Sequence, residues 1–172
     1  MRNVIERAWA VMEEVTPLAT DCGQVCGGRC CHATADSVGM LLFPGEEELL
    51  KGQGFRIHPA EGGSLLTCDG ACDRAFRPLA CRMFPLFPLV TAEGRIRAVY
   101  DPRGWRVCPL VSQCAHVPLR RDFVRAVRRA GRILMEDPAC AAFLRLHSEE
   151  ITELNRLVGL EEERPPIARR KP

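Results

Sequence analysis

The sequence lacks a long apolar segment. It has no run of about 18 consecutive apolar residues, so it predicts no membrane-spanning helix. Charged residues interrupt the first twenty positions, at Arg2, Glu6, Arg7, Glu13 and Glu14, and leave no room for the apolar core of a secretory signal peptide. We therefore expect a cytoplasmic protein without membrane association.

Glycine-rich nucleotide-binding motifs and recognisable catalytic motifs are also missing. The sequence contains no GxGxxG, no P-loop and no GxSxG, which argues against the enzyme classes that depend on them. The net charge is only +2, so the overall balance indicates no class of partner. The sequence predicts no catalytic residue, and whether the protein is an enzyme stays open.

Cysteine, by contrast, is abundant. The chain has ten cysteines in 172 residues, and four of them lie between positions 22 and 31. A disulfide framework, thiol redox chemistry and metal ligation are the three interpretations. Because disulfides rarely persist in a reducing cytosol, metal ligation is the preferred one.

The candidate ligands form three clusters. They are Cys22, Cys26, Cys30 and Cys31 in the first, Cys68, Cys72 and Cys81 in the second, and Cys108 with Cys114 in the third. They could form two four-thiolate sites, one site with spare thiols, or one polynuclear cluster. In extended backbone, neighbouring side chains point to opposite sides, so Cys30 could face one site and Cys31 another. Cys140 is predicted to be a buried helix residue.

Several neighbouring side chains could complete or balance such a site. A four-thiolate centre is negatively charged and needs compensation by nearby donors or cations. Arg29 and Arg82 each adjoin a candidate ligand, although both could be ordinary surface arginines. His32 follows Cys31 and could be a further ligand, as could Cys114, or His32 could be a simple polar residue.

Two segments, CGQVCGGRCCH at 22–32 and CDGACDRAFRPLACRMFPL at 68–86, carry a family resemblance. The chain resembles the CxxCxxCC cysteine-cluster family, whose YkgJ-like members are described as zinc- or iron-chelating, or as Fe–S-cluster oxidoreductases. The resemblance covers roughly residues 20–115. Its first cluster has three residues between cysteines where the family pattern has two. A related domain occurs in flagellin lysine N-methylase, which would allow an enzymatic role.

The resemblance implies metal or cluster binding through a defined set of thiolates. These are Cys22, Cys26, Cys30, Cys31, Cys68, Cys72 and Cys81, with Cys108 as the eighth. The cofactor is an iron–sulfur cluster or zinc, with iron–sulfur preferred. The leading hypothesis is a cytoplasmic metal-binding protein with redox or electron-transfer activity. The alternative is a structural zinc module that serves protein or nucleic-acid interaction without catalysis.

The apolar pattern predicts a small, irregular, metal-stabilised α+β module in one domain, residues 1–160. Its metal core would cover about 20–115 and its helical part about 117–160, with a flexible tail at 161–172. Helices are expected at 2–15, 118–135 and 138–158, strands at 38–43, 55–58 and 64–67, and a hairpin at 86–91 and 95–100. The buried stripe of the last helix is predicted as Ala139, Phe143, Leu146, Ile151, Leu154 and Leu157.

The first long C-terminal helix is rich in arginine. It carries Arg120, Arg121, Arg125, Arg128, Arg129 and Arg132 against a single acidic residue, Asp122. Such a helix could bind a nucleic acid or an acidic protein. A solvated face is the preferred interpretation, because no aromatic residues are interleaved with the arginines to form a stacking platform.

Overall fold

The structure, a computed structural model, describes residues 3–31, 39–68, 70, 72–112 and 117–159. These residues form an α+β fold, as predicted. Its helices are α1 (Val4–Met12), α2 (Cys22–Cys26), α3 (Glu47–Leu50), α4 (Leu79–Met83), α5 (Pro109–Ser112), α6 (Arg121–Leu134) and α7 (Pro138–Leu157). Its strands are β1 (Met40–Leu42), β2 (Arg56–Ala60), β3 (Gly63–Thr67), β4 (Leu86–Val90) and β5 (Ile96–Tyr100). The predicted tail, 161–172, lies outside the described residues.

Helix α1 begins with a capping box. The Asn3 side chain accepts a hydrogen bond from the Glu6 N–H at 2.9 Å, and the Glu6 carboxylate accepts one from the Asn3 N–H at 3.0 Å. This reciprocal pair satisfies two backbone donors that the first turn leaves without helical partners. The helix then buries Ile5, Ala8 and Met12 in the main core.

Helices α1 and α6 pack side by side in antiparallel directions. At one end the Arg120 N–H donates to the Pro17 carbonyl at 2.9 Å. At the other end Arg7 forms an ion pair with Glu136 at 2.6 Å. One apolar stripe is buried along this segment: Leu119, just before α6, and Phe123, Val127, Ala130 and Leu134 within it.

The first sheet is antiparallel and has the strand order β1-β3-β2. Leu66 of β3 is paired with Met40 on one side and with Ile57 on the other. Each of the predicted segments 38–43, 55–58 and 64–67 therefore contains a strand, and residue 38 lies outside the described part of the chain. The sheet covers only a small separate cluster of buried side chains, Leu42, Leu50 and Leu66.

The second sheet is the predicted hairpin of β4 and β5, with Leu86 opposite Tyr100 and Val90 opposite Ile96. Helix α6 approaches it at Gly131, where an added Cβ would lie 2.6 Å from Pro88 Cβ and 2.8 Å from Ile96 Cγ2. Only a residue without a side chain allows this approach, so Gly131 sets the distance between helix and hairpin.

The predicted stripe of α7 is partly wrong. Leu146 and Leu157 are 54% and 71% exposed, whereas His147, Ser148 and Asn155 are buried. These three polar side chains are buried because they satisfy backbone groups of neighbouring strands and turns. Ser148 Oγ accepts from the Val90 N–H at 2.9 Å, Asn155 donates to the Tyr100 carbonyl at 3.4 Å, and His147 Nε2 lies 3.3 Å from the Gly62 carbonyl oxygen.

Within the described part of the chain, no helix is both long enough and apolar enough to cross a membrane.

Candidate metal centre

The first cysteine cluster is built on one short helix and a tight reversal. Asp21 caps α2 by accepting from the Gly23 N–H at 3.1 Å. Cys22 and Cys26 are four positions apart on α2 and therefore lie on the same helical face. Two consecutive glycines, Gly27 and Gly28, have φ of 68° and 65° and turn the chain back. The three-residue spacing of this cluster is thus helical spacing.

Cys30 and Cys31 follow in a 3-10 helix, Arg29–Cys31, and not in extended backbone. Their Sγ atoms are 3.9 Å apart, so the two side chains do not point to opposite sides. This corrects the sequence-based argument that adjacency would separate them. The distance is close to the roughly 3.8 Å between two sulfurs that bind one zinc ion tetrahedrally at about 2.3 Å.

A cavity of about 340 Å³ is lined by thiols of both the first and the second cysteine cluster. Cys68 follows β3, and Cys81 lies on α4. The thiols that line this cavity are Cys22, Cys30, Cys31, Cys68, Cys72 and Cys81. Residues from two clusters that are at least 37 positions apart in the chain therefore meet at one place.

A second cavity of about 320 Å³ adjoins the first. Its lining includes Cys22, Cys26 and Cys30 together with Cys108, which comes just before α5. Every one of the eight predicted ligands consequently lines at least one of the two cavities, and Cys22 and Cys30 line both. Cys114 and His32 lie outside the described residues.

A third, largely apolar cavity of about 260 Å³ lies on the other side of Phe84. Cys30 and Phe84 line all three cavities. The Phe84 ring is held close to backbone at Gly104, where an added Cβ would lie 2.5 Å from Phe84 Cζ. Phe84 therefore lies where the three cavities meet.

The remaining described cysteine behaves differently. Cys140 is buried in α7, as predicted, and its thiol donates to the Pro44 carbonyl at 3.7 Å. Burial raises the pKa of this thiol to about 12. No disulfide joins any two of the nine cysteines that the structure describes.

The pKa values of Cys22 and Cys31 are raised above the ordinary thiol value. Burial raises the pKa of Cys22 to about 11, and the Asp21 carboxylate and the thiols of Cys26 and Cys108 act in the same direction. The hydrogen bond with Cys30, followed by burial, raises the pKa of Cys31. A bound metal cation would lower these pKa values, because a coordinated thiol loses its proton.

Cys81 and Cys108 show the same behaviour. Burial is the main cause that raises the pKa of Cys81, and the thiols of Cys31, Cys72 and Cys68 add to it. Burial likewise raises the pKa of Cys108, with a smaller contribution from Cys26. The electrostatic contacts therefore link Cys22, Cys26 and Cys108 in one group and Cys31, Cys68, Cys72 and Cys81 in another.

Of the arginines near the clusters, Arg77 faces the thiols. Burial acts to lower the pKa of its guanidinium, but its hydrogen bond with Cys72 and the charges of Cys72, Asp21 and Cys31 raise that pKa above its ordinary value. Arg29, predicted as a compensating group, is exposed at the rim of the cavity that Cys26 and Cys108 line.

Arg82, the other predicted compensating group, holds the backbone of residues 74–77 in place. Its guanidinium donates to the carbonyls of Arg77 at 2.7 Å, Arg74 at 2.8 Å and Ala75 at 2.9 Å, and it lies 4.8 Å from the Trp9 ring centre. These contacts hold the loop between Cys72 and Cys81, so Arg82 supports the cluster through the backbone.

Glu46 was not recognised from the sequence. It is 0% exposed, and its carboxylate accepts hydrogen bonds from Trp9 Nε1 at 2.9 Å, the Phe43 N–H at 3.1 Å and the Leu79 N–H. Burial raises the pKa of this carboxyl. It anchors the start of α4, which carries Cys81. Nothing in the run Glu46–Glu48 distinguishes it from its two neighbours.

Comparison with protein families, curated proteins and solved structures finds no match for this chain. The resemblance to the CxxCxxCC family stays a prediction that rests on the two motifs. Any assignment of chemistry therefore depends on the geometry of the thiols.

Proposed function

We propose that this protein binds metal through the thiolates of its eight clustered cysteines, as members of the CxxCxxCC family are expected to do. The supporting observation is that all eight line two adjoining cavities, while the ninth described cysteine, Cys140, is buried in a helix elsewhere. Thiols that gather from three distant segments without forming disulfides are typical of thiolate metal sites.

The thiols form two groups in this proposal. Cys22, Cys26 and Cys108 belong to the smaller group, and the larger group consists of Cys31, Cys68, Cys72 and Cys81. Cys30 lines both cavities and its Sγ lies 3.9 Å from that of Cys31, so in this proposal its thiolate joins the two groups. The arrangement favours two adjacent thiolate centres that share Cys30 over one site with spare thiols.

Binding includes a movement of side chains. Within residues 3–31, 39–68, 70, 72–112 and 117–159, no three Cys, His, Asp or Glu side chains lie close enough together to hold an ion as they stand. In the proposal, metal binding brings these side chains closer together. Such coupling of metal binding to folding is common in small metal domains.

The neighbourhood provides partial charge compensation. Arg77 lies against the larger group and interacts with Cys72 and Cys31. Donors and cations around a thiolate centre tune its ligands and offset its negative charge. A cytoplasmic location belongs to the same proposal, because a reducing compartment keeps the thiols available.

An iron–sulfur cluster is the preferred cofactor, and it would supply one-electron chemistry. Exposed Cys30 places the centre near the surface, where an electron-transfer partner could approach. The chain offers no recognised substrate site or catalytic base, so electron transfer is the activity that the proposal includes.

A structural zinc module is the second candidate, and one observation favours it. The segments 21–31 and 72–77, both fully described, contain no buried residue. A metal ion there would replace the hydrophobic core that these loops lack. In this case the centre stabilises the fold and takes no part in redox chemistry.

Elemental analysis and a visible spectrum of the full chain, purified without oxygen, test the proposal. Iron with acid-labile sulfide and an absorption band near about 400 nm would support the cluster. Colourless protein with stoichiometric zinc would support the structural module. Protein with neither metal and with freely titratable thiols would overturn metal binding altogether.

The two-group arrangement needs its own variants. Cys26→Ser should reduce only the metal content of the smaller group, and Cys68→Ser only that of the larger one. Each variant should therefore keep about half of the bound metal, and the double variant should keep little. Cys140→Ser is the matched control and should keep all of it. If either single variant loses the entire metal content, the thiols form one centre.

A further inference from the structure

Five arginines of α6 lie on one face of the helix. At about 100° per residue, Arg121, Arg125, Arg128, Arg129 and Arg132 fall within an arc of about 100°. Their positions extend over about 16 Å along the axis, at about 1.5 Å per residue. Four are exposed and Arg128 is half-buried. We define these five residues as the arginine face.

The arginine face has no acidic partner within the described part of the chain. Arg120, just before the helix, pairs with Asp122, whereas the five arginines form no ion pair with any described residue. The Nε atom of Arg128 is buried and has no hydrogen-bond partner there. Like charges one turn apart on a helix repel each other, so the fold leaves an electrostatic cost that an anion would relieve.

The rest of α6 is committed to the core and fixes the orientation of this face. The opposite side buries Phe123, Val127, Ala130 and Leu134 in the main core, and Gly131 lies tightly against the β4–β5 hairpin. The arginines are therefore presented on a helix whose opposite side is packed in the core. Such preorganisation lowers the entropy that binding would cost.

The composition of the face favours phosphate over protein. The large apolar side chains that the described residues expose are Val25, Phe76, Trp105, Leu146, Leu157 and Val158, and none of them lies on α6. Protein interfaces are usually centred on buried aromatic or apolar anchors, which this face does not have. Arginine, with its planar fork of donors, matches phosphate oxygens in pairs.

A duplex fits the face better than a single strand. Sequence-independent binding of single strands relies on aromatic side chains that stack on bases, and the arginine face has no aromatic residue. Double-stranded DNA presents rows of phosphates beside a major groove about 12 Å wide, which accepts a helix. In duplex RNA the major groove is deep and narrow.

We propose that the arginine face of α6 binds the phosphate backbone of double-stranded DNA without reading its sequence. This interaction is independent of the metal proposal, because no residue of the face is among the described residues that line the two thiol-lined cavities. Each arginine would displace a condensed counterion, so the affinity would fall steeply with salt.

Fluorescence anisotropy of a labelled DNA duplex of about 20 base pairs, titrated with the full chain, tests the proposal. The variant carries Arg121→Gln, Arg125→Gln and Arg132→Gln. Its matched control carries Arg95→Gln, Arg97→Gln and Arg145→Gln, three exposed arginines on β5, its preceding turn and α7. Both triple variants lose the same charge, so they separate the position of the arginines from the net charge. Circular dichroism and metal content verify that both are folded.

The first variant should bind at least about tenfold more weakly, and its slope of log K against log salt should fall by about 2.7, at about 0.9 for each lost phosphate contact. The control should bind like the unmodified protein, and duplexes of different sequence should bind equally. Equal weakening of both variants would overturn the proposal. So would no binding to DNA, tighter binding to duplex RNA, or binding to a polyglutamate peptide without binding to DNA.

Discussion

The helical body and the cysteine loops bury very different side chains. Helices α1, α6 and α7 contribute to one continuous core with β4 and β5, in which large side chains such as Phe123 and Leu144 are fully buried. The loops 21–31 and 72–77 bury none of their residues. The comparison shows that one part of the molecule is stabilised by the hydrophobic effect, whereas the other has many thiols and almost no core.

Removal of metal is expected to have the largest effect, because it should destabilise the cysteine loops and leave the helical body unchanged. Dialysis against a chelator should expose residues 21–31 and 68–81 to rapid amide exchange, because structural metal sites contribute about 10–16 kcal/mol of binding free energy at neutral pH. Amides of α6 and α7 should keep their protection. Hydrogen exchange with mass spectrometry measures both. Unchanged exchange in the loops would show that they are stable without metal.

Cys81→Ser should have the next largest effect. The variant should lose metal from the larger thiol group and several kcal/mol of stability, because the ion it helps to bind also holds the loops together. Elemental analysis and chemical denaturation measure the two losses. Cys140→Ser should keep its metal and lose about 1 kcal/mol, the average cost of a single substitution. Full metal content in Cys81→Ser would contradict the site assignment.

Glu46→Ala tests the contacts by which Glu46 connects α1 to the start of α4, the helix that carries Cys81. It leaves the N–H groups of Trp9, Phe43 and Leu79 without an acceptor, at about 1–3 kcal/mol for each orphaned buried donor. We expect a loss of about 3 kcal/mol or more in urea denaturation. Glu47→Ala, one position away, removes a half-buried carboxylate that bonds Ser64 Oγ and serves as the control.

The Glu46 carboxyl also predicts a pH dependence. Its pKa in the folded state is raised by burial, so the folded protein holds this proton more tightly than the unfolded chain. Its contribution to stability is complete below the ordinary glutamate pKa of 4.5 and is lost as the pH rises through the folded value. The stability difference between wild type and Glu46→Gln should therefore change in favour of the variant as the pH rises. A constant difference would contradict the raised pKa.

Gly131→Ala should have the smallest effect and concerns the helical body alone. The new Cβ would meet Pro88 and Ile96, and overpacking of this kind costs about 1–3 kcal/mol, while alanine recovers about 1 kcal/mol of helix propensity. We expect a net loss of about 1 kcal/mol in thermal unfolding, with unchanged metal content. In Gly23→Ala the Cβ has only ordinary contacts, the nearest at 3.4 Å, so this control should lose no stability. Greater stability in Gly131→Ala would show that helix and hairpin separate easily.

Local signals were sufficient for most of the secondary structure. Helix α6 and the β4–β5 hairpin were predicted from patterns within short segments, and the structure confirms both. The start of α7 is equally local, since Asp137 accepts a hydrogen bond from the Cys140 N–H. The outcome for α7 was different. Its buried face was predicted by apolarity, but the backbone donors and acceptors of distant strands determine why Ser148 and Asn155 are inside.

The sequence by itself determined the α+β class, the three long helices α1, α6 and α7, and the presence of eight clustered cysteines. Only the tertiary structure decided that Cys108 lies beside Cys22 and Cys26, that Arg77 faces the thiols, and that Arg82 and Glu46 hold backbone. The physical reason is the distance along the chain between the residues that interact. Capping, periodicity and turns depend on neighbours within a few residues, whereas thiol grouping and the burial of a carboxylate depend on segments that meet only when the chain folds.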